Sequence, residues 1–285
     1  MIPCDLCGGP GREVVAATEE VWRHVACEPC GLVWVDPLPA ALATLNSEIY
    51  GGAARDEEER GAARGRRLAA ELARLRAGLG PTSGSPRLLD VGCGDGALLA
   101  AAKAGGWDVA GVELEGDRAA EAAARGVGPV HHGPLETLDP ALAPFDVVRL
   151  HHVVEHVPSP RALLAAATAR LAPGGRLVVA TPNGASLGAR VAGAGWRHLG
   201  RPGNGHLVLL SPQALRGYAR ALGLEVEALA TRGTRAWSLD RARPARRAWR
   251  VVEQALVPWA RVTGRGGVLE ATLRTNGDGR PARGR

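Results

Sequence analysis

The sequence predicts an α/β protein with a doubly wound, mostly parallel seven-stranded sheet that follows a small cysteine-rich module. Three observations predict this. Short apolar stretches alternate with helical patterns from residue 87 to residue 274, a glycine-rich turn joins the first strand to the next helix, and four of the five cysteines form two N-terminal pairs. The 285 residues, of which 46% are hydrophobic and 22% charged, are enough for one main core and a small accessory module.

The expected elements are spread evenly over the chain. Seven stretches have the apolar character of strands: residues 87–91, 108–114, 127–131, 145–150, 176–181, 224–230 and 267–274. Helical patterns fall at residues 55–79, 97–104, 117–125, 160–171, 212–222 and 243–257, with a shorter one within 37–52. Strands that alternate with helices indicate a parallel sheet covered on both faces. We expect a glycine-rich insertion at about 184–210 and a disordered tail at 276–285.

The N-terminal cysteines form the pairs Cys4-x-x-Cys7 and Cys27-x-x-Cys30, with 19 residues between the pairs. A C-x-x-C turn directs two sulfur atoms at one ion, and two such turns complete a tetrahedral zinc site. The pattern therefore predicts a structural zinc knuckle at residues 1–39, ahead of a main domain at 40–275. Four free thiols in a small core are the alternative. A redox role is disfavoured because neither pair opens a helix after a strand.

Charge and apolar patterning bear on location and partners. The N-terminus resembles no signal peptide and no apolar run reaches ten residues, so we expect a cytoplasmic protein. The net charge is +6, but residues 241–285 hold 11 arginines against three acidic residues, which leaves the remaining chain slightly acidic. This distribution argues against a broad nucleic-acid groove.

The C-terminal segment 243–259 has an apolar helical stripe opposite several arginines. Packing of that stripe on the main domain is one interpretation. Contact with an anionic membrane surface is a second, and contact with RNA is a third.

The decisive motif is Asp90-x-Gly92-x-Gly94-x-Gly96, at the turn from a strand into a helix. Glycines there let the backbone approach a ligand closely. A dinucleotide site fits loosely, because Gly92 and Gly94 begin a G-x-G-x-x-A pattern, and Glu113 suits ribose hydroxyls with either cofactor. The carboxylate of Asp90 favours a ligand that carries an ammonium group over a pyrophosphate.

These residues resemble the first motif of class I S-adenosylmethionine-dependent methyltransferases. Phe145-Asp146-Val147-Val148 resembles their fourth-strand region, and Leu171-x-Pro173-Gly174-Gly175 resembles the turn into their fifth strand. The resemblance covers about residues 85–230. It implies S-adenosylmethionine as cofactor, and it implies these contacts: Asp90, Gly92, Cys93, Gly94, Gly96, Glu113, Leu114, Leu135, Glu136 and His151.

A narrower resemblance adds the N-terminal cysteines. The chain looks like a bacterial subgroup with an N-terminal zinc knuckle and a core similar to ubiquinone-biosynthesis O-methyltransferases. Trp196, His198 and His206 lie in the insertion that covers the active site in that subgroup. One departure concerns the adenine, because many relatives place an acidic residue directly after the third strand, where this chain has Glu136 slightly later.

The stretch His152-x-x-Glu155-His156 follows the fourth strand. Its H-x-x-E-H pattern also occurs in metalloproteases, but those need it on a longer helix. Relatives with a similar E-x-x-E-H stretch imply a divalent ion, for which His152 would replace one ligand. Two further interpretations are that Glu155 and His156 brace the loop, and that His156 is a general base whose ordinary pKa near 6.5 suits proton abstraction.

Taken together, the sequence predicts methyl transfer to a small-molecule acceptor, with oxygen favoured over nitrogen or carbon. One alternative is an RNA methyltransferase that uses the knuckle and the arginine-rich C-terminal segment. Another is a non-catalytic protein that binds the cofactor. The sequence does not define the oligomeric state.

Overall fold

The computed structural model describes residues 1–19, 21–39, 61–80, 84–201, 204–233, 256, 258–260 and 262–275. Its strands are β1 (Arg12–Val15), β2 (His24–Cys27), β3 (Leu32–Val35), β4 (Arg87–Val91), β5 (Asp108–Glu113), β6 (Val130–His132), β7 (Phe145–His151), β8 (Leu171–Pro182), β9 (Val208–Leu209), β10 (Glu225–Arg232) and β11 (Val268–Arg274). The α-helices bounded within these residues are α1 (Gly61–Gly78), α2 (Ala97–Ala104), α3 (Gly116–Ala124), α4 (Pro160–Thr168), α5 (Leu187–Ala192) and α6 (Pro212–Ala221).

The large sheet has the strand order β10-β11-β8-β7-β4-β5-β6. Strands β6, β5, β4, β7 and β8 pair in parallel, whereas β11 is antiparallel to both of its neighbours. The central strands are fully buried, as Leu88, Leu89, Val147 and Val148 show no exposed surface. Burial on both faces explains their nearly continuous apolar sequences. The predicted mostly parallel, seven-stranded sheet is confirmed.

The strand order reverses between β4 and β7. From β4 the chain moves outward through α2 to β5 and through α3 to β6, and it then crosses back to β7 on the other side of β4. In an open α/β sheet, such a reversal leaves a crevice outside the carboxyl ends of the two strands, and ligands bind there. The topology thus places a site above β4 and β7.

The largest boundary difference lies at β8, which begins at Leu171 instead of at residue 176. Leu171 pairs with Phe145 and Arg176 pairs with Val147, so the residues between them form an irregular extension of the strand. The predicted helix within 37–52, most of the predicted helix 243–257 and the tail 276–285 lie outside the described residues. None of the helices that the structure describes is long and apolar enough to cross a membrane.

A second, antiparallel sheet has the order β1-β2-β3-β9 and joins two distant parts of the chain. Strand β9 belongs to the 184–210 insertion, and its Leu209 and Val208 pair with Val33 and Trp34 of β3. Trp196 of the same insertion is 1% exposed and packs in a cluster with Val21. The insertion is therefore held against the N-terminal module by strand pairing and apolar packing.

The N-terminal module also packs on the main domain. Its buried Cys4, Val25 and Leu32 belong to the same apolar cluster as Leu215 and Tyr218 of α6. A division of the chain near residue 39 stays a prediction, because residues 40–60 lie outside the described residues.

Asp5, which lies between the first two cysteines, holds this packing in place. Its Oδ1 accepts a hydrogen bond from Ser159 Oγ (2.6 Å). Its Oδ2 accepts bonds from the backbone N–H of Arg161 (2.9 Å) and from the hydroxyl of Tyr218 (2.8 Å). One carboxylate thus joins the Cys4–Cys7 turn to the start of α4 and to α6.

His24 links β2 to the insertion and is 1% exposed. Its Nδ1 lies 2.7 Å from the carbonyl oxygen of Trp22 and must donate, while its Nε2 accepts from the backbone N–H of Gly200 at 2.9 Å. Burial lowers the pKa of His24 to about 4. A proton added at Nε2 would face the Gly200 N–H, so acid should break this link.

We expect the free energy of unfolding to fall as the pH drops from about 6.5 towards 4. Unfolded His24 takes up a proton near its ordinary pKa, whereas folded His24 takes one up only near pH 4, so protonation favours the unfolded chain. In His24→Gln the loss of stability between pH 7 and pH 5 should be smaller by up to about 2 kcal/mol. Urea unfolding at both pH values measures this.

His132→Gln is the matched control, because His132 is exposed. Equal pH dependence in the native protein and in His24→Gln would contradict the role assigned to His24.

Candidate active site

A cavity of about 640 Å³ opens at the carboxyl ends of β4, β5 and β7. Seven of the ten cofactor contacts expected from the sequence line it: Gly92, Gly94, Glu113, Leu114, Leu135, Glu136 and His151. The other three, Asp90, Cys93 and Gly96, lie behind its wall. The position of the cavity agrees with the crevice that the strand order creates.

The turn from β4 into α2 needs glycine for two reasons. Gly92, Gly94 and Gly96 all have left-handed φ angles, of 72°, 57° and 77°. In addition, a Cβ on Gly92 would lie 2.5 Å from Cγ2 of Val153. A side chain in this turn would thus strain the backbone and fill space at the cavity wall.

Cys93 is 6% exposed and packs in the apolar cluster that includes Leu99, away from the cavity.

Glu113, the last residue of β5, fixes the opposite side of the turn. Its Oε2 accepts the backbone N–H of Gly94 at 2.7 Å. Its Oε1 accepts the N–H groups of Leu114 and Glu115 at 2.9 Å and 3.1 Å. A carboxylate held in this way at a cavity wall can accept hydrogen bonds from ligand hydroxyls without first reorganising.

Asp90 lies beneath the turn, and this corrects the expectation that its carboxylate faces a ligand. It is 2% exposed, and its Oδ1 accepts a bond from Arg149 Nη1 at 2.8 Å. Arg149 Nε also donates to Glu71 of α1 at 2.6 Å. Burial raises the pKa of Asp90 to about 6, although Arg149 opposes the shift. The pair holds the floor of the turn and ties it to α1.

Sequence reasoning missed Arg149 and Glu71. The available signal was an arginine inside the apolar strand β7, since a buried charge needs a partner. The identity of that partner depends on the fold, because Glu71 is 78 residues away in sequence.

The wall beyond β6 is formed by residues 133–136. Leu135 is 2% exposed, and it opens a short 3-10 turn that includes Glu136. Glu136 lines the cavity despite its displaced position in the sequence. Glu115 and Arg118, which the sequence reasoning did not single out, also line the cavity.

Glu155 lies below the cavity with no exposed surface. Its Oε1 is 2.9 Å from Nδ1 of His152, and its Oε2 accepts a bond from Thr181 Oγ1 at 3.0 Å. Burial alone would raise the pKa of Glu155, but the hydrogen bond from His152 and the nearby rings of His152, His156 and His206 together lower it. His152 adopts a left-handed φ of 57°, which turns the chain sharply after β7. Glu155 therefore braces the loop.

His156 reaches the cavity and contacts the insertion. Its Nδ1 lies 3.2 Å from the carbonyl oxygen of Gly205, so Nδ1 carries the proton and Nε2 keeps the lone pair. Its ring centroid is 4.8 Å from that of His206. Burial lowers the pKa of His156 to about 4. This pKa lies below the ordinary value near 6.5, because burial disfavours the charged ring.

Glu155, His156 and His206 each offer one ligand atom, and these atoms lie within 4.8 Å of one another. The set could hold a metal ion. It differs from the set expected from the sequence, since His152 is bonded to Glu155 and His206 of the insertion takes its place. Neither His198 nor His206 lines the cavity, and they stack behind His156 with ring centroids 5.7 Å apart.

The four N-terminal cysteines come together as the sequence predicted. Their sulfur atoms all lie within 4.8 Å of one another, and the Sγ atoms of Cys7 and Cys27 are 3.6 Å apart. A tetrahedral zinc site with Zn–S bonds of about 2.3 Å requires sulfur separations of about 3.8 Å. Each pair forms a tight turn, in which Gly8 and Gly31 donate backbone bonds to Cys4 and Cys27 at 2.8 Å. The geometry suits one tetrahedral ion.

Known proteins with similar sequences are methyltransferases. A ubiquinone biosynthesis O-methyltransferase from Xylella fastidiosa is 32% identical over 157 residues, which cover 52% of this chain and 63% of that protein. Another from Psychrobacter arcticus is 40% identical over 105 residues, or 34% of this chain and 41% of that protein. The chain thus spans less than two thirds of the length of these relatives.

Solved structures share the fold. A SAM-dependent methyltransferase from Archaeoglobus fulgidus superposes with a TM-score of 0.53 at 19% identity, covering 81% of this chain and 99% of that one. A 1,6-didemethyltoxoflavin-N1-methyltransferase from Burkholderia thailandensis, solved with S-adenosylhomocysteine, gives a TM-score of 0.54 at 17% identity, covering 93% and 99%. At these identities, the likeness establishes a Rossmann-like methyltransferase fold.

The family assignment follows from the sequence match that covers the site. Residues 59–229 match the family model described as a methyltransferase domain. This range includes the glycine turn, Glu113 and the His156 loop, and it is more than half of the chain. The chain therefore belongs to the methyltransferase-domain family.

Proposed function

We propose that this protein transfers a methyl group from S-adenosylmethionine to a small-molecule acceptor, with a hydroxyl oxygen as the favoured acceptor atom. The observation that carries the proposal is the cavity at the carboxyl ends of β4, β5 and β7, where the backbone at Gly92 and Gly94 and the carboxylate of Glu113 meet. The names of the relatives, which are ubiquinone biosynthesis O-methyltransferases, support oxygen as the acceptor.

The residues of the cavity fit such a cofactor. Gly92 and Gly94 would let its amino-acid part approach the backbone, Glu113 would accept hydrogen bonds from its ribose hydroxyls, and Leu135 and Glu136 would hold its adenine. When bound, the cofactor supplies a methyl group on a positively charged sulfur. The chain then has to bind the acceptor close to that group, orient it and exclude water.

The acceptor proton needs a destination if the acceptor is a hydroxyl. His156 lines the cavity, is neutral at pH 7 and keeps its lone pair on Nε2, so it can take that proton. Glu155, buried next to it, favours the charged form of His156 electrostatically. The low pKa makes His156 a weak base, which suits an acceptor whose proton becomes acidic as the methyl group transfers.

We further infer that Cys4, Cys7, Cys27 and Cys30 hold one structural zinc ion. The sulfur separations and the two backbone turns support this. The metal would fix the turn that carries Asp5, and through Asp5 the start of α4, whose Ser159 lines the cavity.

Incubation of the protein with methyl-labelled S-adenosylmethionine and fractionated cell extract tests the proposed reaction. We expect the labelled methyl group in a small molecule, with one S-adenosylhomocysteine formed for each methyl group transferred. Label only in RNA would support the nucleic-acid alternative. Cofactor binding without transfer to any fraction would support the non-catalytic one.

Gly94→Val should abolish binding of S-adenosylmethionine. Valine at φ 57° strains the backbone by at least about 1–2 kcal/mol, and its Cβ would lie 3.1 Å from Nη2 of Arg118 at the cavity wall. Calorimetric titration measures the affinity.

Gly126→Val is the matched control, because Gly126 also has a positive φ of 63° but a Cβ there would meet no atom of the described residues within 4 Å. The control should keep native affinity. If Gly94→Val binds the cofactor as the native protein does, the assignment of this turn is wrong.

His156→Ala should lower turnover by about 100- to 10,000-fold and leave cofactor affinity nearly unchanged. The activity of the native enzyme should fall as the pH drops through about 4, where His156 gains a proton, and the variant should lose this limb. Steady-state kinetics across the pH range, with acceptor and cofactor varied separately, measures both.

The control for His156 is His132→Ala, since His132 is exposed and outside the cavity lining. Native turnover in His156→Ala would remove His156 from the catalytic residues. Weaker cofactor binding with an unchanged pH profile would instead assign it to bracing the loop.

Cys27→Ser should reduce the zinc content from one ion per chain, measured by elemental analysis of protein purified without chelator. Protection from hydrogen exchange should fall in β1, β2, β3 and β9, which form one sheet, while β4 and β7 keep theirs. Cys93→Ser is the control, because Cys93 lies outside the cluster and should leave the zinc content unchanged. Native protein without zinc would contradict the site.

A further inference from the structure

A groove of about 1060 Å³ lies on the outer side of the cysteine cluster. Its walls come from the two knuckle turns, from the end of α5, from one face of α6 and from residues 263–265. Among the described residues, none that lines the groove also lines the cavity at the carboxyl ends of β4, β5 and β7. The groove is therefore a separate concave surface that the proposed reaction does not use.

Four arginines line this groove: Arg190, Arg216, Arg220 and Arg265. No acidic side chain of the described residues lines it, and none of the four arginines forms an ion pair with a described carboxylate. Eight described arginines outside the groove do form such pairs, as Arg149 does with Asp90. The groove thus concentrates positive charge without internal compensation.

A filled zinc site would reduce this charge but not remove it. One Zn²⁺ with four thiolates carries a net charge of about −2, and Cys7 and Cys30 face the groove. The four guanidinium groups carry a charge of about +4, so a net charge of about +2 remains. Neutralising the metal site therefore does not account for all four arginines.

The positions of the arginines let more than one of them contact the same ligand. Arg216 and Arg220 are one helical turn apart on α6, so they project from the same face, and both are exposed. Arg265 is half-buried, with its guanidinium carbon 5.8 Å from the ring centroid of Trp259. Like charges one helical turn apart, as on Arg216 and Arg220, repel one another, and an anion bound between them relieves the repulsion.

Two polar side chains that can donate to an anion also line the groove, Ser211 and Gln213. The Ser211 hydroxyl accepts the backbone N–H of Ala214 and keeps its own hydrogen, and the Gln213 amide donates one of its two hydrogens to the carbonyl oxygen of Pro29. Guanidinium groups bind phosphate oxygens through paired, charge-assisted hydrogen bonds. The volume of about 1060 Å³ is at the upper limit of sites for whole small molecules, which is about 1,000 Å³, so the groove has room for more than a single phosphate.

We propose that this groove binds a ligand with two or more linked phosphate groups, which Arg216 and Arg220 hold from α6 and Arg190 and Arg265 hold from the opposite wall. The ligand is either a soluble di- or triphosphate compound or a phosphate-bearing lipid headgroup. The site is independent of methyl transfer, so a binding assay tests it without turnover.

The first experiment titrates the full-length native protein with tripolyphosphate by calorimetry, at low and at moderate salt. Arg216→Glu/Arg220→Glu should weaken binding by at least about tenfold, because it removes two charge-assisted contacts and introduces repulsion. Arg66→Glu/Arg67→Glu changes the net charge equally on the exposed face of α1, and it should stay within about twofold of native. Arg216→Gln/Arg220→Gln serves as a milder pair if the charge reversal disturbs folding.

The second experiment separates the two sources of phosphate. Sedimentation with phosphatidylcholine vesicles that contain phosphatidylinositol bisphosphate reports headgroup binding, and loss of binding in the Arg216/Arg220 variant would assign the ligand to a membrane. Binding of tripolyphosphate without vesicle binding would assign it to a soluble compound. No binding of either probe, or equal binding by native and variant protein, would overturn the proposal. RNA binding that depends on Arg216 and Arg220 in the absence of tripolyphosphate binding would overturn it as well.

Discussion

The chain leaves β4 and enters α2 through a sharp turn, and the elements around the candidate site are held together at this turn. Three glycines in left-handed conformations make the turn possible, and two buried carboxylates hold it. Glu113 binds it from the next strand, and Asp90 supports it from below through Arg149. Because the turn lies where the strand order reverses, its backbone forms the floor of the crevice in which a ligand must bind.

The same turn connects distant parts of the chain. Arg149 also binds Glu71, so α1 is tied to the floor of the site. On the other side, Asp95 of the turn receives hydrogen bonds from Arg64 of α1 and from Arg125, which follows α3. Each of these pairs is at least partly shielded from water, where charge-assisted bonds are stronger than at the surface. A change in α1 should therefore reach the cofactor site without touching it.

Much of the fold could be predicted from the sequence because its signals are local. The strand at 87–91, the glycine turn and the helix at 97–104 follow from apolar runs and glycine spacing, and the structure has them at the same positions. The paired cysteines were expected to meet, and they do. Features that depend on distant pairing were missed: the addition of β9 to the N-terminal sheet, the Arg149–Glu71 pair and the approach of His206 to His156. Local patterns also do not report burial at a site, and burial is what lowers the pKa of His156.

We propose that the cavity at the carboxyl ends of β4, β5 and β7 binds S-adenosylmethionine in preference to a dinucleotide. A calorimetric competition on the native protein between S-adenosylhomocysteine and NAD tests this preference. We expect one S-adenosylhomocysteine bound per chain and no displacement of it by a tenfold excess of NAD. Tighter binding of NAD, or no binding of S-adenosylhomocysteine, would contradict it.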